Sequence, residues 1–185
     1  MEKTLEQYPA TCLKVVLFGP ESSGKTTLSR QLAKFYNTIW IPEFARDYLQ
    51  EKWDRTGTIC GPEDLLPIAE GQIALENNAA SKAKKILFCD TDLLETKVYS
   101  EAYYGFCDPL LEQYALSNTY DLYLLTDIDV PWEPDDLRDR PDRREEMFLR
   151  FKEALVKYDR HFITLSGNEQ KRLNKATNHI NTNLF

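Results

Sequence analysis

Apolar residues along this chain gather in short unbroken runs that alternate with longer stretches where they recur every three or four positions. The runs are Leu13 to Phe18, Thr38 to Ile41, Ile86 to Cys89, Leu122 to Leu125 and Phe162 to Leu165. Each is short and lacks polar alternation, so each predicts a strand covered on both faces. Helical patterning fills the intervals at Lys25 to Tyr36, Phe44 to Trp53, Glu63 to Lys85, Leu94 to Tyr104, Pro109 to Leu116, Arg143 to Lys157 and Asn168 to Ile180. The third of these is long, and Gly71 is its expected break. Strand and helix in alternation predict βαβ construction, and hence a three-layer α/β/α unit on a parallel sheet. With no internal repeat and no Gly/Ser/Pro-rich linker, one domain is expected over 1–185.

Composition narrows the class of ligand. The chain carries 42% hydrophobic residues, enough for one core, and its 23 Lys plus Arg against 30 Asp plus Glu give a net charge of -7. That balance provides no general field for a polyanion, so nucleic acid is not an expected partner and phosphate chemistry requires a local site. No apolar run has membrane-spanning length, and residues 1–11 lack the pattern of a signal peptide. Cys12, Cys60, Cys89 and Cys107 form no CxxC pair and have no nearby His to complete a zinc site. They read as reduced thiols of a cytoplasmic protein.

The segment Gly19-Pro20-Glu21-Ser22-Ser23-Gly24-Lys25-Thr26 fits GxxxxGK[ST], directly after the first expected strand and before the first expected helix. Such a loop turns several N–H groups inward at a helix N-terminus, whose dipole favours anions. Gly19, Ser22, Ser23, Gly24, Lys25, Thr26 and Thr27 are therefore candidate ATP-binding residues, with Lys25 on the β and γ phosphates. Thr26 is a candidate Mg²⁺ ligand. A carboxylate at the end of an apolar strand should support the metal from the other side, and Asp90 after Ile86 to Cys89 meets that need. Asp90 could otherwise be a helix N-cap, and Asp92 is open between a cap and a place in the cleft.

A GTPase would carry NKxD after a central strand, but Asn174-Lys175-Ala176-Thr177 ends in Thr and lies in the last helix. Asp54-Arg55-Thr56-Gly57 fits DxxG without a preceding strand, and both strings read as chance. A small-molecule kinase needs an acceptor site and a lid. Glu43 ends the second strand, and Arg46, three positions on, shares its face of the next helix. The pair offers an acceptor for a hydroxyl and a fork for a polar substrate, or else a plain surface ion pair. Four of the ten arginines, Arg138, Arg140, Arg143 and Arg144, fall in seven positions of a proline-rich connection. This lid segment, about 131–146, would supply cations to a triphosphate. Its interleaved Asp135, Asp136, Asp139 and Asp142 allow two other readings: a self-neutralising loop, or acids that hold the arginines outward until nucleotide arrives.

These residues together resemble the NadR-type ribosylnicotinamide kinases, the kinase portion of bifunctional NAD-salvage proteins. The likeness runs from Phe18 to about Leu165 through the Gly19 to Thr26 loop, Glu43-Phe44-Ala45-Arg46-Asp47-Tyr48, Asp90-Thr91-Asp92, Tyr120-Asp121-Leu122 and Pro131-Trp132 to Arg138, with Asp142-Arg143 after it. It implies a P-loop NTPase fold whose five-stranded parallel sheet has the order 2-3-1-4-5. It also implies transfer of the γ-phosphate of ATP to the 5′-hydroxyl of nicotinamide riboside. Asp136 stands where that family has a lid glycine. His161 and His179, the only histidines, lie outside any paired-histidine adenylyltransferase motif, so a stand-alone kinase is expected.

On this reading Lys25, Thr26, Asp90 and Mg²⁺ fix the triphosphate, and Arg138, Arg140 or Arg143 close on the transferring group. Glu43 is the first choice for orienting or deprotonating the hydroxyl, with Asp92 second. Glu43, Arg46, Asp92, Trp132 and Tyr104 are the candidate substrate contacts. Trp40, Trp132 and the Tyr103-Tyr104 pair could stack on a cationic ring. A kinase for another nucleoside or nucleotide would keep every phosphate feature, and a non-catalytic ATP-sensing module would bind ATP without an acceptor.

Overall fold

The computed structural model describes residues 5–138 and 140–185. Its five strands are β1 (Leu13–Phe18), β2 (Trp40–Ile41), β3 (Ile86–Asp90), β4 (Leu122–Thr126) and β5 (Phe162–Leu165), all parallel in the order β2-β3-β1-β4-β5. The helices are α1 (Lys25–Phe35), α2 (Phe44–Thr56), α3 (Leu65–Ala80), α4 (Leu93–Tyr104), α5 (Pro109–Ser117), α6 (Arg144–Lys157) and α7 (Glu169–Asn183). The connection out of β1 runs toward β2, while that out of β3 crosses to β4 on the opposite side. That reversal opens a crevice at the carboxyl ends of the central strands.

Every residue of β3 and β4 is buried, as is β1 after Leu13, and alternate side chains serve opposite faces. Val16, Phe18, Leu87, Tyr123 and Leu125 meet Phe151 of α6 and Leu94 of α4 on one face. Val15, Leu17, Phe88, Leu122 and Leu124 meet Leu28 and Leu32 of α1 and Ile180 of α7 on the other. The expectation of strands covered on both faces holds for this centre and weakens at β5, where only Leu165 is fully buried.

Several boundaries differ from the sequence expectation. The second strand shrinks to two residues because Thr38 closes the turn after α1, its N–H on the Ala33 carbonyl and its hydroxyl on that of Ile86. The helix expected over 63–85 starts with a 3₁₀ turn at Pro62–Asp64 and ends at Ala80. Gly71 does not break it. A Cβ there would lie 2.2 to 2.3 Å from carbons of the Phe44 ring, so the glycine lets α2 seat on α3. Gly57, the end of the apparent DxxG string, has φ 65° and caps α2. Pro141 opens a 3₁₀ turn, so the helix expected from Arg143 begins at Arg144.

Candidate active site

The loop between β1 and α1 is held from both sides. Gly19 has φ 142°, and a Cβ there would come within 2.6 Å of Thr126 Oγ1, so only glycine lets the chain turn off β1 beside β4. The Ser23 hydroxyl bonds the Pro20 carbonyl and the Thr126 hydroxyl, each at 2.6 Å. From behind, the buried Arg172 of α7 donates to the carbonyls of Ser23, Gly167 and Asp127 and pairs with Asp129. Arg172 was not among the sequence candidates: a lone arginine in an amphipathic helix carries no local signal, and its role rests on chain 149 positions away.

Lys25 is only 7% exposed, and its ammonium reaches the Gly19 carbonyl at 2.7 Å, the Pro20 carbonyl at 3.0 Å and Glu95 Oε1 at 3.3 Å. Burial alone would depress its pKa, but Glu95, Glu43 and Asp90 raise it overall, so the lysine stays charged. Gripping a phosphate would mean exchanging these oxygens for phosphate oxygens. Thr26 Oγ1 donates to Asp90 Oδ2 at 2.6 Å. Burial and the neighbouring Glu43 push Asp90 up to about 6 against the pull of Lys25. Asp90 Oδ1 is buried and without a hydrogen-bond partner. An orphaned carboxylate oxygen beside a hydroxyl that faces the cleft suits a hard, oxygen-loving cation such as Mg²⁺. No cluster of three His, Cys, Asp or Glu occurs among the described residues, so any metal here would complete its shell with phosphate and water.

The crevice has two adjoining lobes. One, of about 340 Å³, is lined by Ser22 to Leu28, Arg46, Arg138 and Arg172; the other, of about 190 Å³, by Ile59, Leu65, Ile68, Tyr103, Tyr104 and Glu95, among others. Glu43 belongs to both, as do Glu21, Ala45, Leu49, Tyr99 and Leu137. No hydrogen bond or ion pair among the described residues occupies the Glu43 carboxylate, whereas Arg46 pairs with Asp135 at 2.7 Å. The surface-pair alternative for Glu43 and Arg46 is thus replaced by a contact between α2 and the segment after Val130.

Asp92 is corrected. Its Oδ1 accepts the Glu95 N–H at the start of α4, its Oδ2 accepts the Tyr123 hydroxyl at 2.7 Å, and it lines neither lobe. Burial pushes it up to about 7. Of the two alternatives, the cap fits. Glu95, one helical turn on, is what the sequence reading missed: 2% exposed, it accepts the Gly19 N–H at 3.3 Å while facing Lys25. Burial is the main force that raises it to about 8. The spacing Asp92-x-x-Glu95 was a usable signal, since it marks an acid in the first turn of a helix that starts beside the P-loop.

The segment expected as a lid has no regular structure from Val130 to Asp135. The Glu133 N–H reaches the Ser22 hydroxyl, and Arg144 ties the Ser22 and Val130 carbonyls together while lying over the Trp132 ring at 5.6 Å. Trp132 therefore stacks on an arginine of the protein and lines neither lobe, which corrects its assignment as a substrate contact. Trp40, under Arg30, is likewise outside the cleft. Arg138 lines the larger lobe, held by the Glu133 carbonyl and Asp135. Arg140 lines the smaller lobe, over Tyr103 at 4.4 Å, rather than the phosphate side expected for it. Arg143 pairs with Glu146 through two hydrogen bonds and lines neither lobe. Tyr104 lines the smaller lobe, its hydroxyl on the Cys60 carbonyl. Asp135 pairs with Arg46 and Arg138, and Arg138 still lines the larger lobe rather than turning outward; Asp139 lies outside the described residues.

Over 124 residues the chain is 32% identical to the trifunctional NAD biosynthesis/regulator protein NadR of Escherichia coli, and equally so to that of Salmonella typhimurium. Those matches cover 67% of this chain, which thus spans only 30% of these curated relatives. A crystal structure of NadR protein in complex with NR superposes with a TM-score of 0.76 at 22% identity, covering 93% of this chain and 51% of that one. Deoxyadenosine kinase from M. mycoides does so with a TM-score of 0.67 at 15% identity, over 92% of this chain and 100% of its own. These likenesses show the fold, a five-stranded parallel sheet of order 2-3-1-4-5 between helices, shared with these P-loop proteins. A family model described as an AAA domain matches residues 14–172, from β1 through the arginine that braces the P-loop, and the chain belongs to that family.

Proposed function

We propose that this chain is an ATP-dependent kinase that phosphorylates the 5′-hydroxyl of nicotinamide riboside. The observation that carries the reading is the junction of the two lobes at Glu43: a phosphate-binding loop on one side, an aromatic-lined pocket on the other, and an unpaired carboxylate between them. Likeness over most of the chain to NadR bound to NR supports that acceptor. Thr26 and Asp90 would hold Mg²⁺, which when bound neutralises phosphate charge. Lys25 and Arg138 add positive charge on the same lobe, so catalysis is mainly positioning and electrostatics. Glu43 orients the attacking hydroxyl and accepts its proton. In the smaller lobe Tyr104 offers a face to a pyridinium ring, while Tyr103 lies under Arg140 and Arg143. Four free cysteines suit a reducing, cytoplasmic setting.

A coupled ADP-release assay comparing nicotinamide riboside with ordinary nucleosides tests the acceptor. Preference for the riboside is expected. A deoxynucleoside preference would favour the second reading, to which the end-to-end likeness to deoxyadenosine kinase lends weight.

A further inference from the structure

Glu43 is in a short corner between β2 and α2, and among the described residues no hydrogen bond or ion pair on its own side chain fixes it there. The backbone on either side of it is fixed by one residue of α3. Gln72, 2% exposed, accepts the Phe44 N–H through Oε1 at 2.8 Å and donates through Nε2 to the Pro42 carbonyl at 3.4 Å. Phe44 is the first residue of α2, so its N–H has no partner within the helix. β2 has only two residues paired to β3, Trp40 and Ile41, so the sheet gives no support beyond Ile41. Next to Gln72, Gly71 lets the Phe44 ring lie directly on α3.

From this geometry we infer that Gln72 is a positioning residue for the proposed phosphoryl transfer: its amide brackets Glu43 and sets where that carboxylate meets the acceptor hydroxyl. Gln72 also lines the smaller lobe, where an amide could read a nucleoside base. The bracket uses one hydrogen bond in each direction, Oε1 inward from Phe44 and Nε2 outward to Pro42, and this pairing of donor and acceptor fixes the orientation of the amide. The inference rests on the kinase reading for its kinetic consequence and on the corner alone for its structural one.

Gln72→Met keeps the side-chain length and removes both bonds. The expected results are turnover lowered about tenfold to a hundredfold, ATP KM unchanged, and the same proportional loss for every acceptor. In a cycle with Glu43→Gln the double variant should be no slower than Glu43→Gln alone, because a bracket has no effect once its carboxylate is gone. Gln72→Glu, which keeps the acceptor for Phe44, should recover part of the loss. Hydrogen exchange at the Phe44 amide, measured without any substrate, should speed up in Gln72→Met and not in Gln72→Glu. If nicotinamide riboside is not the acceptor, the substrate panel says so, and the exchange result still decides the bracket. Unchanged Phe44 exchange, additive losses in the cycle, or a change confined to the KM of one class of base would each overturn the inference, the last by making Gln72 a base reader.

Discussion

The two lobes of the crevice are built in different ways. The phosphate lobe takes the largest single share of its lining from one stretch, Glu21 to Leu28, and its loop is shaped partly by its own hydroxyls and carbonyls. The smaller lobe has no such stretch: it takes spaced side chains from α2, α3, α4, the chain around Cys60 and the segment before α6, with α4 giving the most. An anion can be recognised by backbone N–H groups and one ammonium, which a short contiguous motif can supply. A nucleoside must be recognised by shape and a few placed contacts, which only tertiary structure brings together.

The largest expected effect falls on the contiguous lobe. Lys25→Met removes the one buried ammonium of the loop and should lower kcat/KM about a thousandfold, the upper end for losing one charge-stabilising donor. Steady-state kinetics read it directly, and a loss under tenfold would mean that the lid arginines carry the phosphate charge. Next comes the junction. Glu43→Gln should lower turnover about a hundredfold with ATP KM within about twofold, because in the proposed reaction the carboxylate acts on the acceptor hydroxyl. An equal rise in ATP KM would move Glu43 to the phosphate side and erase the distinction between lobes.

The same contrast governs what could be read from the sequence. The strand order followed from a resemblance carried by the Gly19 to Thr26 loop and the Glu43 to Tyr48 segment, and the five strands and α1 were legible from their apolar runs. Of the motif residues, Thr26 bonds Asp90 in the structure, and Lys25 follows Gly24 at the start of α1. Asp92 and Trp132 were misplaced because composition at a strand end or in a loop does not say which way a side chain turns. Asp92 turns onto Tyr123, 31 residues on, and Trp132 onto an arginine of its own segment. Arg172 is hidden for the converse reason: it sits in an ordinary helical pattern and acquires its role only when the P-loop folds against it, whereas Glu95 is marked by its spacing from Asp92 but not by its contact with Gly19.

Within the smaller lobe, Tyr104 is in the lining with its hydroxyl anchored on the Cys60 carbonyl. Tyr104→Leu keeps an apolar wall and removes the aromatic face. The acceptor KM should rise about fivefold, the worth of a cation–π contact of about 1 kcal/mol, with ATP KM unchanged. Acceptors with neutral bases should feel the change less than one with a charged pyridinium, so the ratio of the two losses measures how far the lobe is tuned to a cation.

The smallest effect concerns stability rather than rate, and it tests whether the phosphate lobe is preformed at a cost. Glu95 is buried beside Lys25, and burial raises its pKa from 4.5 to about 8. The folded protein therefore holds a proton on Glu95 that the unfolded chain releases near pH 4.5. Where the native state binds more protons, stability falls as pH rises, so this group's contribution is full below the unfolded value and is lost progressively up to about pH 8. Lys25, raised from 10.5, titrates above this window and adds no slope within it. Glu95→Gln has no proton to lose, so its melting temperature should vary less between pH 5 and 8.5 than that of the wild type, by about 2 to 4 °C for each kcal/mol removed. Asp90 and Asp92 share the sign of Glu95 and leave a residual slope. Parallel melting curves for the two proteins would mean that Glu95 stays ionised throughout, its charge fully met by Lys25 and the Gly19 N–H, and that the lobe is assembled without an electrostatic penalty.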